Sequence, residues 1–440
     1  MTKVAVIGGG ISGLCVAYRV QKTGAAVTLF DGADRLGGNI HTITNKGYLY
    51  EYGPNSLMAN GEIFELIDDI GLTNQILATK AAAKTRYILR DGEPAALPGS
   101  IVQGLTTKAF SVGGRLRVLK EPFIASRTSP AESVYEFIER RIGREMADYA
   151  IDPFVSGIYA GDPRKLSLTN AFPKFYNLEA TSGSLIKGAL LGKRVPAKPV
   201  PVGMPKMFSF RIGMRALVDA IAERLNDVRL ETPVDSLAKR DGGFIVNLEK
   251  FDRVALCLPA RPSAKLIHSL DTEAAREIGS VYYPPVAVIY AAYEKQQVSF
   301  DPDGFGILIP GPEKRKILGA LFSSSVFDDR APENEHLFTI FVGGSRNSEL
   351  CEKDDGALID LATGELQSIL QITGSPVFTD IKRWERSIPQ YNIGYEKVTQ
   401  AVERLQDANS GLVVCSNFYK GIAVGECVKN SVAAATRLLA

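Results

Sequence analysis

The chain has 440 residues, 45% of them hydrophobic and 23% charged, with a formal net charge of +2. That is enough apolar material for two or three domains with real cores, and the near-neutral balance gives no bulk electrostatic case for nucleic acid. Five cysteines without C-x-x-C spacing and three dispersed histidines argue against a zinc site, a metal cluster or a disulfide framework, and suit a reducing, cytoplasmic compartment.

The first element is a short apolar run from Val4 to Ile7, expected as a strand. Gly8, Gly9, Gly10, Ile11, Ser12 and Gly13 follow in G-x-G-x-x-G spacing, then an amphipathic helical pattern, then a second apolar run from Ala26 to Phe30 that ends in Asp31. In that order Gly8 permits a tight turn, Gly10 lets the backbone approach a pyrophosphate, and Gly13 lets helix and strand pack closely. The helix start offers N–H groups to the phosphates, and Asp31 is placed to accept from a ribose hydroxyl. A glycine turn in any α/β sheet is the plainer reading, but it leaves the acid unexplained. Because the run before Gly8 is a strand, the N-terminus does not have the character of a signal peptide. No apolar run approaches the roughly eighteen residues that a membrane span needs, so a spanning helix is not expected, and peripheral membrane contact stays open.

Arg35-Leu36-Gly37-Gly38 comes directly after the acid. It resembles the R-x-G-G extension of the FAD-dependent amine oxidase and desaturase superfamily, in which the paired glycines pass close to the flavin diphosphate and ring. Asn39 stands where relatives often carry a bulky residue. Tyr50-Glu51-Tyr52-Gly53-Pro54-Asn55 resembles the next flavin contact of that superfamily. A plain NAD dehydrogenase needs neither stretch, so the resemblance implies one FAD per chain, bound non-covalently.

Flavin-type signals return at about 205–265, with Val228–Leu230, Thr232-Pro233-Val234 and the apolar run of residues 252–258, and again from about 380 to the C-terminus. Between them, residues 100–200 carry apolar residues at spacing three and four, as helices do. The segment KRVPAKPVPVGMPK that follows is rich in Pro and Lys and is expected as an exposed or mobile loop. Residues 281–345 hold short β-rich runs, expected as a mostly antiparallel sheet with one face towards a ligand. The expected fold is α/β, a Rossmann-like FAD-binding domain (1–75, 205–265 and 380–440) with an inserted β-rich α+β substrate domain (76–99 and 266–379) and a helical lobe (100–204).

Asp152-Pro153-Phe154-Val155-Ser156-Gly157-Ile158-Tyr159-Ala160-Gly161-Asp162-Pro163 closely resembles a signature of the protoporphyrinogen oxidases. Gly304 to Pro310, Ile388-Pro389-Gln390-Tyr391 with Gly394, and Asn417 to Val428 resemble three more. The matches run from the first strand to the last helix, so the chain resembles the oxygen-dependent porphyrinogen oxidases of haem biosynthesis. Family members run somewhat longer.

That resemblance implies oxidation of protoporphyrinogen IX to protoporphyrin IX with O2 as acceptor. Six electrons leave the substrate, so a two-electron flavin needs three turnovers, each releasing H2O2. No catalytic acid or base is assigned, since the flavin carries the hard step. The resemblance also implies that Leu308, Leu321 and Phe341 line an apolar pocket, that Gly157 brings backbone close to the ring, and that Arg86 grips a propionate. A guanidinium suits this role because it stays charged and pairs bidentately. Val234, Trp384, Asn417, Ile422, Ala423 and Val424 match flavin-side positions. Without the resemblance, Leu308, Leu321 and Phe341 are ordinary sheet-core residues, Gly157 a turn glycine, Arg86 a solvated arginine and Trp384 a core anchor. Cys427 is first a small buried hydrophobe, with a covalent flavin link as the alternative. Coproporphyrinogen III, with four propionates, is the main alternative substrate. Another amine oxidase or desaturase, or a non-catalytic flavoprotein, also stays open, as do a homodimer and contact with the inner face of a membrane.

Overall fold

The computed structural model describes residues 1–99, 106–127, 129, 131–191 and 198–440. Two sheets organise the chain. The first is parallel and five-stranded, in the order Val228–Arg229, Ala26–Phe30, Lys3–Ile7, Arg253–Leu256, Leu412–Val414. Parallel neighbours need crossovers, and the first of these is the helix Ile11–Gln21. Lys3–Ile7 lies at the centre, covered on both faces, which is why its sequence is a continuous apolar run rather than an alternation. Val4 and Val6 pack with Leu14 and with Val428 of the C-terminal helix Val424–Leu439. Ala5 and Ile7 pack on the other side with Val398, Val402 and Leu405 of the helix Glu396–Ala408.

The second sheet has seven strands, in the order Phe378–Trp384, Val286–Glu294, Glu335–Gly343, Ile317–Phe322, Gly306–Leu308, Tyr87–Arg90, Glu93–Ala96. Every pairing is antiparallel except that of Gly306–Leu308 with Tyr87–Arg90. The helix Asp355–Leu370 covers one face, where Leu358, Ala362 and Leu366 meet Ile289, Ile340 and Phe322. On the other face, Val288 and Tyr290 pack with Tyr48 and Tyr50 of the hairpin Thr42–Asn45/Tyr48–Glu51. This mixed α/β architecture is the fold class expected from the sequence. A small three-stranded sheet joins Leu57–Met58 and Ile76–Ala78 to Met207–Phe210, so chain segments far apart in sequence meet beside the first sheet.

The middle of the chain is helical, with Val134–Arg141, Asp152–Tyr159, Pro173–Ser182 and Leu185–Leu191 among its elements. Ser133 and Glu136 form a reciprocal cap at the start of the first of these, which satisfies two otherwise orphaned N–H groups. The fully buried Arg141 donates to Glu121 at 2.9 Å and to Glu179 at 3.1 Å, pinning three segments together. Of the Lys/Pro-rich stretch, residues 198–203 are exposed, and residues 192–197 lie outside the described residues.

Candidate functional site

The first strand ends at Gly8, whose N–H donates to the Phe30 carbonyl at 2.8 Å. Gly8 has φ +107°, and a Cβ there would fall 2.8 Å from the Cys257 carbonyl oxygen, so this turn requires glycine. A Cβ on Gly13 would lie 1.8 Å from the Gly8 carbonyl oxygen, which makes its absence the condition for helix and strand to touch. Gly10 is different. Its φ is −69°, and a Cβ would meet no protein atom within 4 Å. The open side of Gly10 is a cradle, and the helix Ile11–Gln21 starts beside it with no side-chain cap. Asp31 closes the cradle. Its Oδ2 accepts from the Gly9 N–H at 2.6 Å and its Oδ1 from the Ala33 N–H at 2.8 Å. The Thr232 N–H donates to the Asp31 carbonyl at 2.9 Å, which brings the segment carrying Val234 alongside the acid.

The Gly37 N–H donates to the Gly9 carbonyl at 2.8 Å, laying the second glycine pair against the first loop. Arg35 turns its guanidinium onto this loop, donating to the Gly38 carbonyl at 2.8 Å, and Gly38 and Asn39 stay exposed. A Cβ on Gly53 would fall 1.8 Å from the Asn39 carbonyl oxygen, so residues 52–55 run tightly beside residues 37–39. Pro54 and Asn55 are half-buried there. The Trp384 indole donates to the Tyr52 carbonyl at 2.9 Å, tying the edge of the second sheet to the same segment. At the far end of the chain, the Tyr391 hydroxyl donates to the Asn417 carbonyl at 2.5 Å and accepts from the Gly421 N–H at 3.0 Å. Ile422 and Ala423 then lead into Val424–Leu439, another helix without a side-chain cap. The Ser12 hydroxyl reaches the Cys427 thiol, so two uncapped helix starts stand side by side. Their unpaired N–H groups and dipoles make a site for an anion.

The open face of the second sheet carries the remaining candidates. Leu308 pairs with Gly319, and Gly319 with Phe341, while Leu321 lies two residues from Gly319. Partners across a ladder and residues two apart share a face, so these three side chains project to the same side. Phe341 is half-buried between the buried Ile340 and Val342. Leu321 and Phe341 pack with Phe305, and the Arg86 guanidinium lies over the Phe305 ring, 5.1 Å from its centre. Arg86 is exposed. Gly157 sits on the helix Asp152–Tyr159, where a Cβ would fall 2.7 Å from Leu308 Cδ2. Phe341 also packs in one cluster with Tyr52 and Trp384, and there the apolar face meets the glycine-lined cradle.

The profile of the flavin containing amine oxidoreductases matches residues 11–439. The chain belongs to that family. Among its relatives, protoporphyrinogen oxidase 2 of Arabidopsis thaliana is 32% identical over 98% of this chain and 93% of its own length. The protoporphyrinogen oxidase of Nicotiana tabacum mitochondria is 33% identical over 98% and 94%. A crystal structure from an Exiguobacterium species shares the fold, with a TM-score of 0.83 at 23% identity over 100% of this chain and 99% of the other. As a flavin-containing oxidoreductase, the protein has a cradle suited to the cofactor: uncapped helix starts for phosphate, an acid for a hydroxyl, and a glycine whose side chain would enter the space.

Other side chains shape this region, beyond the candidates read from the sequence. Phe154 and Ile158 are 40% and 43% exposed and flank Gly157 on the open side of an otherwise buried helix. Their spacing around Gly157 was a usable signal, but only the fold shows that this side is open. Glu51 is buried, accepting from the Met214 N–H and from the Thr42 hydroxyl, each at 2.8 Å, and burial pushes its carboxyl up to about 7. Cys15, Cys257, Cys415 and Cys427, dispersed in sequence, interact behind the glycine loop as buried free thiols. Burial pushes the Cys427 thiol up to about 12. Among the described residues, no group of histidines, cysteines and carboxylates is arranged to hold a metal ion.

Proposed function

We propose that the chain binds FAD non-covalently and oxidises protoporphyrinogen IX to protoporphyrin IX with O2 as the acceptor. The observation that carries this reading is the apolar row Leu308, Leu321 and Phe341, which has Arg86 at one rim and joins the dinucleotide cradle through Phe341 and Tyr52. A flat apolar ring with carboxylates at one edge fits such a wall. The residues from Gly8 to Gly13, with Asp31, Val234, Asn417 and Ile422 to Val424, would hold the dinucleotide; Arg35 to Asn39, Tyr52 to Asn55 and Trp384 would flank the ring. The bound flavin supplies two-electron oxidation, and the protein orients the substrate carbon and keeps water away. Cys427 is a buried free thiol that faces the Gly421 carbonyl at 3.8 Å, which supports a non-covalent cofactor. The three-lobe division expected from the sequence belongs to the same reading, supported by a parallel sheet drawn from the first, middle and last blocks of the chain.

Coproporphyrinogen III is the second reading. The coproporphyrinogen III oxidase of Bacillus subtilis is 27% identical over 99% of this chain and 97% of its own length. Within the structure, the ladder row of Leu308, Gly319 and Phe341 continues through Val288 to Lys382. Lys382 lies 4.8 Å from the centre of the Trp384 ring, so a second cation stands at the far end of the wall. Side-by-side turnover of the two porphyrinogens in air decides the matter. We expect protoporphyrinogen to be preferred, with roughly three H2O2 per porphyrin. Preference for coproporphyrinogen would move the assignment, and no porphyrin from either would refute it.

Among the described residues no helix is long and apolar enough to cross a membrane. We infer a cytoplasmic protein that touches an anionic membrane surface through Val112, Leu116, Leu119 and Phe123. These are 57–87% exposed within twelve residues that also hold the exposed Lys120. Leu116→Ser with Phe123→Ser should abolish flotation with anionic liposomes at low salt, and failure of the parent chain to float would refute the contact.

A further inference from the structure

The helix Asp152–Tyr159 is one wall of the cleft, and the open face of the seven-stranded sheet is the other. The exposed stripe of the helix is apolar: Phe154, Gly157 and Ile158. Its buried side is polar at one point. Asp152 is 4% exposed, and its Oδ2 accepts from Arg346 Nη2 at 2.6 Å and from the Gly311 N–H at 2.7 Å. Arg346 also donates from Nη1 to the Ile309 carbonyl and from Nη2 to the Ser156 hydroxyl, both at 2.8 Å. Asp152 and Ser156 belong to the helix, Ile309 and Gly311 to the turn directly after the strand that carries Leu308, and Arg346 follows the strand that carries Phe341. One ion pair therefore ties the helix wall to two strands of the sheet wall. The other end of the helix is held by the Ser345 N–H, which donates to the Ala160 carbonyl at 2.7 Å.

We propose that Asp152 and Arg346 are a positioning pair that holds the helix against the sheet at Gly157 and Leu308, and so sets the fit of a flat tetrapyrrole on the apolar face beside that contact, along Leu321 and Phe341. This rests on the porphyrinogen reading above. The geometry leaves no slack at that point, since a Cβ on Gly157 would fall 2.7 Å from Leu308 Cδ2. Either charge that loses its partner is left uncompensated in a largely buried place, and the cheapest relief is movement of the helix away from the 309–311 turn. The flavin cradle is built by other segments and does not depend on this pair.

The test uses the flavin-loaded full chain with Asp152→Asn and, separately, Arg346→Lys. It measures KM and kcat for protoporphyrinogen IX, the Kd of protoporphyrin IX by fluorescence, flavin content and melting temperature. KM and the porphyrin Kd should rise about tenfold or more, each factor of ten being about 1.4 kcal/mol of lost fit, with kcat and flavin content held. Arg346→Lys should lose less than Asp152→Asn, because an ammonium keeps the charge but cannot reach Asp152, Ser156 and Ile309 together. An unchanged KM and Kd, or a fall in kcat alone, overturns the proposal. If either variant fails to fold, Gly157→Ala takes its place. It should weaken porphyrin binding, and adding Leu308→Ala should recover part of the loss; no recovery overturns the proposal. Failure of the parent chain to oxidise either porphyrinogen or to bind porphyrin overturns the porphyrinogen reading itself, and this inference with it.

Discussion

The Asp31 carboxylate holds the Gly9 backbone N–H at 2.6 Å, so the acid after the second strand and the loop after the first form one unit. A carboxylate oxygen has more than one acceptor site, which leaves Asp31 able to take a ribose hydroxyl while it braces the loop. Asp31→Ala should therefore raise the Kd for FAD about tenfold to a hundredfold, the equivalent of about 1.5–3 kcal/mol for a charge-assisted hydrogen bond. Titration of the apoprotein with FAD, followed by flavin fluorescence, measures it. An unaltered Kd would take the ribose contact away from Asp31.

Gly10 and Gly13 stand in one motif but should fail in different ways. Alanine at Gly13 puts a Cβ 1.8 Å from the Gly8 carbonyl oxygen and should destabilise even the apoprotein, by at least about 1–3 kcal/mol. Alanine at Gly10 meets no protein atom and keeps an ordinary φ, so the apoprotein should melt as the parent does yet lose FAD. Melting curves with and without FAD separate the two. A Gly10→Ala protein that loads fully would show that the cradle is not where the pyrophosphate lies.

Arg86→Ala should raise KM for porphyrinogen by the equivalent of about 1.5–3 kcal/mol, one charge-assisted pair. Flavin content should not change, because Arg86 rests on Phe305 and not on the cradle. Arg86→Lys should restore part of the loss, since a point charge does not reproduce the planar fork. Steady-state kinetics on flavin-replete protein gives the answer, and an unchanged KM returns Arg86 to the surface.

Glu51 makes the stability depend on pH in a definite direction. Burial holds its folded-state value at about 7, above an ordinary value of 4.5, so the folded chain binds this proton more tightly than the unfolded one. The contribution is fully present below pH 4.5 and is lost as pH rises to about 7, by up to about 3 kcal/mol. Glu51→Gln removes the titration. Urea unfolding at pH 5 and pH 8 should show a smaller drop in the variant than in the parent, and equal drops would rule out the buried proton.

Arg35 to Asn39 and Tyr52 to Asn55 were legible as flavin-type segments, yet their mutual contact was not. Asn39 and Gly53 are separated by a hairpin, Thr42–Asn45 paired with Tyr48–Glu51, and only its closure sets them together. The same holds for the four thiols behind the glycine loop. Cys257 and Cys415 meet because they follow strands that lie side by side in the parallel sheet, more than 150 residues apart in the chain.

By itself, the sequence determined the elements whose causes are local. Glycine spacing, an apolar run and a terminal acid specify strand, turn, helix and strand, because the φ values and close contacts at Gly8 and Gly13 admit no other residue. It also determined the α/β class, through continuous apolar runs in one part and short β-rich runs in another. Only the tertiary structure decided which side chains share a face. Leu308, Leu321 and Phe341 form one wall through ladder register, and a shift of one residue would turn each of them into the opposite core. The Asp152–Arg346 pair, 194 residues apart, exists only because the helix and the sheet close on each other. Contacts of that range depend on the packing of the whole chain, which no short window of sequence encodes.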